Sequence, residues 1–183
     1  VLAKAKALTT RADLSIGVGK AIEAVLLEWN GDAAAISQVT LSTTLATNSV
    51  VEGVGGRTAL VLIGFDADVL KRDGLKAAIG QDPVLQIAGG HKPDGSEQTA
   101  LDITGLTVEL AELDGQVSSF AVASHFATRN PSHEKAVRDH LSQTTGLPVT
   151  CSHELSNALG GPRRALTTVL NARLISLLDR LLK

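Results

Sequence analysis

The sequence predicts an α/β domain, a largely parallel sheet flanked by helices, and three observations carry that expectation. Strand-like and helix-like hydrophobic periods alternate through most of the chain. The segments "RTALVLIG" (57–64) and "VSSFAVASHF" (117–126) are continuously apolar, as strands buried on both faces of a parallel sheet are. A third segment, "NPSHEKAVRDHLSQTTG" (130–146), offers Asn130 as helix cap, Pro131 in the first turn and Gly146 just past the end.

Along the chain, "VLAKAKAL" (1–8) alternates like a half-exposed strand. "DLSIGVGKAIEAVLLEW" (13–29) then spaces Ile16, Ala21, Ile22, Val25 and Leu26 as a helix does, with Asp13 or Ser15 as cap. A strand near 39–41 and a helix over about 44–52 precede the strand at 57–64. "DADVLKRDGLKAAIG" (66–80) is expected to be helical despite Gly74, and "DPVLQIAG" (82–89) to be a strand. The polar loop 90–102 and a short helix over 107–115 follow. "LPVTCSHEL" (147–155) is expected as a last strand, and a long amphipathic helix begins near Pro162. In that helix Leu166, Leu170, Leu174, Leu177, Leu178 and Leu181 form one apolar stripe. Its first turns are expected to pack on the domain, with Arg164, Thr168 and Asn171 toward the functional edge. Leucines left uncovered at its far end would forgo a few kcal/mol at about 25 cal/mol per Å2, so a second copy of the chain, a homodimer, is expected to cover them unless that end frays.

At 183 residues and 44% hydrophobic, the chain suits a single α/β domain over 1–183. It begins at Val1 without any methionine and its last helix lacks a glycine cap, so it is expected to be a piece of a longer protein, cut at both ends. With 17 basic and 19 acidic side chains and 2% aromatics, it has neither a basic footprint nor a base-stacking platform for nucleic acid. No apolar run approaches the roughly 18 residues of a membrane span. The one cysteine, Cys151, suits a reducing, cytoplasmic setting and a buried structural thiol.

Each expected strand ends in a polar cluster: Ser42-Thr43-Thr44, Gly64-Phe65-Asp66, Gly89-Gly90-His91, His125 to Asn130, and Ser152-His153-Glu154. In a parallel sheet these would share the carboxyl edge, where ligands of open α/β sheets bind. Loops are polar in any case, but "STTLATN" (42–48) goes further. Thr44, Thr47 and Asn48 share a helix face behind a capping Ser42 or Thr43, which favours a ligand-facing surface over simple capping. "IGVGK" and "GVGG" fail as phosphate loops. His133 shares its helix side with Val137 and His140, where packing is the commoner fate, and Glu134 can pair with Arg138 one turn on. His91, His125 and His153 could meet at the edge, but no metal-ligand spacing is present and no metal site is expected.

Three segments in register carry a resemblance. "STTLATNSVVEGVGGRTALVLIGF" resembles the paired-threonine segment, strand and Gly-Phe of the hydantoinase/oxoprolinase family. "FATRNPSHEKAVRDHL" resembles its Asn-Pro-x-His-Glu helix start, and "SHELSNALGGPRRALTTVLNARL" its Ser-x-Glu and Arg-x-x-Thr-Thr-Val-x-Asn-Ala segments. The resemblance implies part of an actin-like (ribonuclease H-like) ATPase fold, in the N-terminal region of an enzyme that uses ATP to open hydantoins or oxoproline-type lactams. Relatives carboxylate ketones. It implies ATP with a divalent metal such as Mg2+ in the full-length protein, a small cyclic amide as substrate and a second, B-type chain or domain as partner. Site candidates carried over by motif are Thr43, Thr44, Thr47 and Asn48; Asn130, His133 and Glu134; and Arg164 and Asn171, beside His91 from the edge argument. Leu41-Ser42 stands where family members often carry His-Gly, and the family's Gly-rich phosphate hairpin does not precede "KAKALTT". No cofactor is therefore expected in residues 1–183 alone, which are expected to be inactive. A sugar- or acid-kinase relative, or a domain kept for packing and subunit contact, are the alternatives.

Overall fold

The computed structural model describes residues 1–10, 13–38, 56–113 and 115–182, with the side chains of 14 and 176–182 set aside. Two compact units divide the chain, Val1–Thr47 with Leu178–Lys183, and Asn48–Leu177.

In the first unit, α1 spans Leu14–Trp29. Asp13 caps it, its Oδ1 accepting from the Ser15 N–H, and Asn30 closes it in the left-handed region at φ 52°. The alternating segment 1–8 forms no strand. Alternation alone does not make a strand; a ladder needs a neighbour to take its N–H and C=O groups, and none of the described segments pairs with this one.

The second unit holds a four-stranded, all-parallel sheet in the order β2-β1-β3-β4. Its strands are β1 (Thr58–Ile63), β2 (Val84–Ile87), β3 (Ser119–Ser124) and β4 (Val149–Cys151). Parallel strands need crossovers, and α2 (Leu75–Ile79), α3 (Ile103–Ala111) and α4 (Ser132–Thr145) supply them, while the single turn α5 (Ser152–Leu155) and α6 (Gly161–Leu182) follow the last strand. Side chains alternate across the two central strands. Ala59, Val61, Ile63, Phe120 and Val122 face Leu106, Val137 and Leu141 of α3 and α4. Leu60, Leu62, Ala121 and Ala123 face Leu75, Ile79, Ala165, Val169 and Ala172 of α2 and α6. Both central strands are buried throughout, as their unbroken apolar character predicts.

Further details differ from expectation, among them the short helix expected over 107–115, which spans Ile103–Ala111 behind a capping Asp102. The segment 66–80 breaks into a 3-10 turn, Val69–Lys71, and α2, because Gly74 adopts φ 73° and caps the second piece. β4 stops at Cys151 and "SHEL" turns into α5. On α6 the fully buried stripe is Ala165, Thr168, Val169 and Ala172, while Leu166, Leu170 and Leu174 are half-buried. Small residues let the helix lie close on the sheet, so the leucines flank the contact rather than fill it. Among the described residues no helix is long and apolar enough to cross a membrane. The strand at 39–41, the helix at 44–52 and "GVGG" lie essentially outside the described residues.

Candidate functional site

Because the sheet is parallel, the ends of β1, β2, β3 and β4 deliver Gly64–Asp66, Gly89–His91, His125–Asn130 and Ser152–Glu154 to one edge. Glycine lets these loops converge. A Cβ on Gly64, at φ 73°, would collide with the Gly89 carbonyl, and one on Gly90, at φ 90°, would lie 3.2 Å from the His125 Cβ.

The Asn-Pro-x-His-Glu start of α4 works through three side chains. Asn130 Oδ1 accepts from the Ser132 N–H at 3.0 Å, and its Nδ2 donates to the Gly95 carbonyl at 3.0 Å. His133 is buried and H-bonded at both ring nitrogens. The Gly90 N–H donates to Nδ1 at 2.9 Å, so Nε2 carries the hydrogen and donates to Glu97 at 2.9 Å. These bonds pin a hairpin over 90–98 at its base and its tip. His91 bridges to Glu97, the Gln98 N–H donates to the Gly90 carbonyl, and Gly95 forms the turn.

Glu134 is completely buried and does not pair with Arg138 as its spacing predicts. Its Oε1 accepts from the Ser124 N–H (2.7 Å) and the Ser152 hydroxyl (2.5 Å). Its Oε2 accepts from the His153 backbone N–H (3.0 Å) and Nδ1 (2.6 Å). Arg138 instead pairs with Asp139 and Glu154 on the surface. The helix turn carries Glu134 inward, where four donors and a cation offset the desolvation of its carboxylate. That cation is Arg164, itself buried, donating to the Ser124 carbonyl (3.0 Å), the Ala158 carbonyl (2.7 Å) and Ser152 Oγ (3.4 Å). Burial pushes its pKa down and the Glu134 charge opposes that.

Glu134, Cys151 and His153 place an oxygen, a sulfur and a ring nitrogen within 4.8 Å of one another. They fit a hydrogen-bonded cluster rather than a cation site. The carboxylate is engaged by four donors, and burial, then the Glu134 charge, pushes the thiol pKa far up.

Next to this cluster the edge is less completely bonded. His91, 1% exposed, shares Nε2 with the Ser132 hydroxyl at 3.2 Å and packs on the His133 ring at 4.2 Å between centroids, but its Nδ1 has no protein partner. His125 Nδ1 and Thr128 Oγ1 are likewise buried without one. Burial lowers the pKa of both histidines; His133 adds to this at His91 and Arg164 at His125, while Glu97 and Asp66 respectively oppose it. Both rings are therefore neutral near pH 7. Phe126 holds φ 53°, a conformation that costs a bulky residue on the order of 1–3 kcal/mol and gathers at functional sites.

A pocket of about 280 Å3 opens here. It is lined by Gly64, Phe65, Asp66 and Arg72 after β1, Gln98 of the hairpin, His125 after β3, and Leu159, Gly161 and Pro162 at the start of α6. Phe65 meets His125 edge-on at 5.7 Å, and Arg72 is paired with Asp66 at 2.8 Å.

Of the sequence candidates, the structure brings together His91, Asn130, His133, Glu134 and Arg164. Asn171 bonds back to the Thr167 carbonyl of its own helix rather than into the edge cluster. Thr43, Thr44, Thr47 and Asn48 lie outside the described residues. Sequence reasoning missed Gln98, Leu159 and Pro162 as pocket residues; each sits in a loop whose partners only the fold reveals.

An all-parallel α/β unit with a pocket at its carboxyl edge has the architecture in which open α/β sheets bind small molecules. The chain belongs to the hydantoinase/oxoprolinase family: the model of the hydantoinase/oxoprolinase N-terminal region matches residues 1–145. Among its relatives, the acetophenone carboxylase gamma subunit of Aromatoleum aromaticum is 29% identical over 209 residues, covering 93% of this chain and 28% of that one. The ATP-dependent caprolactamase from Pseudomonas jessenii shares the fold, with a TM-score of 0.70 at 22% identity over 96% of this chain and 28% of that one. So does nucleotide-free acetone carboxylase, with a TM-score of 0.64 at 15% identity over 93% of this chain and 28% of that one. The chain thus spans little more than a quarter of the relatives it matches.

Proposed function

We propose that the chain is the N-terminal region of an ATP-dependent enzyme that opens small cyclic amides, of the hydantoin or oxoproline kind. Family membership supports an ATP-dependent enzyme, since the relatives include an ATP-dependent caprolactamase and two carboxylases. The observation that favours cyclic amides over ketones is the charge balance of the edge pocket. Carboxylation of a ketone has to hold a bicarbonate-derived anion, and among the described residues the one cationic side chain lining the pocket, Arg72, is already paired with Asp66. A neutral imidazole and a carboxamide, by contrast, offer the donors and acceptors that the uncharged ring of hydantoin needs. The carboxylate of 5-oxoproline would have to take its counter-charge from outside this pocket.

The described residues do not fit the nucleotide itself. The pocket falls below the roughly 300–1,000 Å3 of sites for drug-sized ligands, and no lysine lines it. No nucleotide contact is therefore assigned to them; ATP and its divalent metal belong to the full-length protein, with a B-type chain or domain as partner. Thr43, Thr44, Thr47 and Asn48 remain proposed ligand contacts, and residues 1–183 alone, a single domain's worth of a longer chain, are expected to be inactive. A homodimer through the end of α6 is proposed on its leucine pattern.

The test is ADP release by the purified full-length protein with its partner chain. Hydantoin or 5-oxoproline should stimulate it, whereas stimulation only by a ketone with bicarbonate would contradict the proposal.

A further inference from the structure

Four site candidates carried over by motif, Asn130, His133, Glu134 and Arg164, do not line the pocket; they hold its walls. Asn130 and His133 pin the 90–98 hairpin, and that hairpin ends at Gln98 in the pocket. Glu134 holds the Ser124 N–H, one residue before the pocket's His125. Arg164 ties the Ser124 carbonyl to the Ala158 carbonyl, one residue before Leu159, and so fixes the third wall to the second. Three walls, from three separate loops, are each fastened from behind by a buried side chain.

We propose that this pocket is the ring-binding subsite and that Gln98, His125, Phe65 and Leu159 select the substrate ring; this rests on the cyclic-amide function proposed above. The chemistry matches on both sides of the ring. A small lactam presents its N–H and C=O on the same side, and a carboxamide such as Gln98 meets that pair with one acceptor and one donor. Neutral His125 supplies a further donor or acceptor. The ring methylenes would lie against the faces that Phe65, Leu159 and Pro162 give the pocket. A volume of about 280 Å3 admits a five- to seven-membered ring with room to spare for its substituents. Selection then lives in loop residues that can change without disturbing the pinned frame.

The experiment is steady-state turnover by full-length protein with its partner chain, on hydantoin, 5-oxoproline and the seven-membered caprolactam, for wild type, Gln98→Leu and Leu159→Ala. Gln98→Leu should raise KM for cyclic amides by about tenfold or more while kcat moves less, the signature of a lost binding contact. Leu159→Ala should shift the kcat/KM ratio toward caprolactam by about tenfold, as an enlarged apolar wall does. Both positions are exposed, and unchanged melting temperatures would separate these effects from misfolding. Turnover of cyclic amides with both variants matching wild type would overturn the subsite while leaving the proposed activity standing. Turnover of a ketone with bicarbonate and of no cyclic amide would overturn both.

Discussion

The carboxyl edge carries two adjoining polar clusters that are bonded to different degrees. Around Glu134 and Arg164, each carboxylate oxygen has two donors and the guanidinium reaches two carbonyls and a hydroxyl. Around His91 and His125, both Nδ1 atoms and the Thr128 hydroxyl are buried with no protein partner. The first cluster is closed around Glu134 and acts as a scaffold: both carboxylate oxygens are spent on protein donors. The second keeps unspent bonding capacity beside a strained Phe126 and a pocket, at a cost in stability that a functional site explains.

The closed cluster is where substitution should do most damage. Glu134→Ala strips the buried partner from Arg164 and from four donors, and a loss of about 3–5 kcal/mol is expected in chemical denaturation of the full-length protein. Adding Arg164→Met should recover part of it, because the second change removes the stranded charge. A loss under about 1 kcal/mol for Glu134→Ala would erase the contrast between the clusters.

A smaller effect is expected at the hairpin pin. His133→Ala removes two hydrogen bonds and should cost about 1–3 kcal/mol, with faster amide exchange concentrated in 90–98. Exchange that quickens evenly over the unit instead would mean that His133 is ordinary core.

The open cluster should announce itself in acid. His91 and His125 have folded-state pKa values below the ordinary 6.5, so the unfolded chain binds more protons just below that pH. Their contribution to stability is full above about pH 6.5 and shrinks as pH falls toward the depressed folded values. Denaturant midpoints should decline below pH 6.5 in wild type and less steeply in His91→Gln; equal slopes would remove His91 from the explanation. The least change is expected at Cys151, whose buried thiol, donating toward the Glu134 carbonyl at 3.7 Å, should resist alkylation in the native protein. Prompt labelling would show that the closed cluster opens.

Much of this edge was legible in the sequence because periodicity reports the sheet, and a parallel sheet puts its polar strand ends together. His91 and Asn130 follow from that logic, whereas His133 is a candidate only through the family motif, its helix position pointing to packing. Glu134 was legible as a motif residue but not as a buried one: helix spacing offered Arg138, and only the position of β3 and α5 shows four inward donors. Gly74 misled because its penalty inside a helix looked tolerable, whereas a left-handed turn relieves it altogether. Leu159 and Gln98 had no local signal, since a pocket wall is a relation between loops.

The most direct test of the central claim, that a pinned frame presents a separate ring-binding pocket, is a crystal structure of the full-length protein with hydantoin bound. The ring is expected between Gln98 and His125, against Phe65 and Leu159, with Asn130, His133, Glu134 and Arg164 keeping their bonds and touching no ligand atom. Hydantoin bound directly by Glu134 or Arg164, or bound elsewhere with this pocket filled only by solvent, would contradict it.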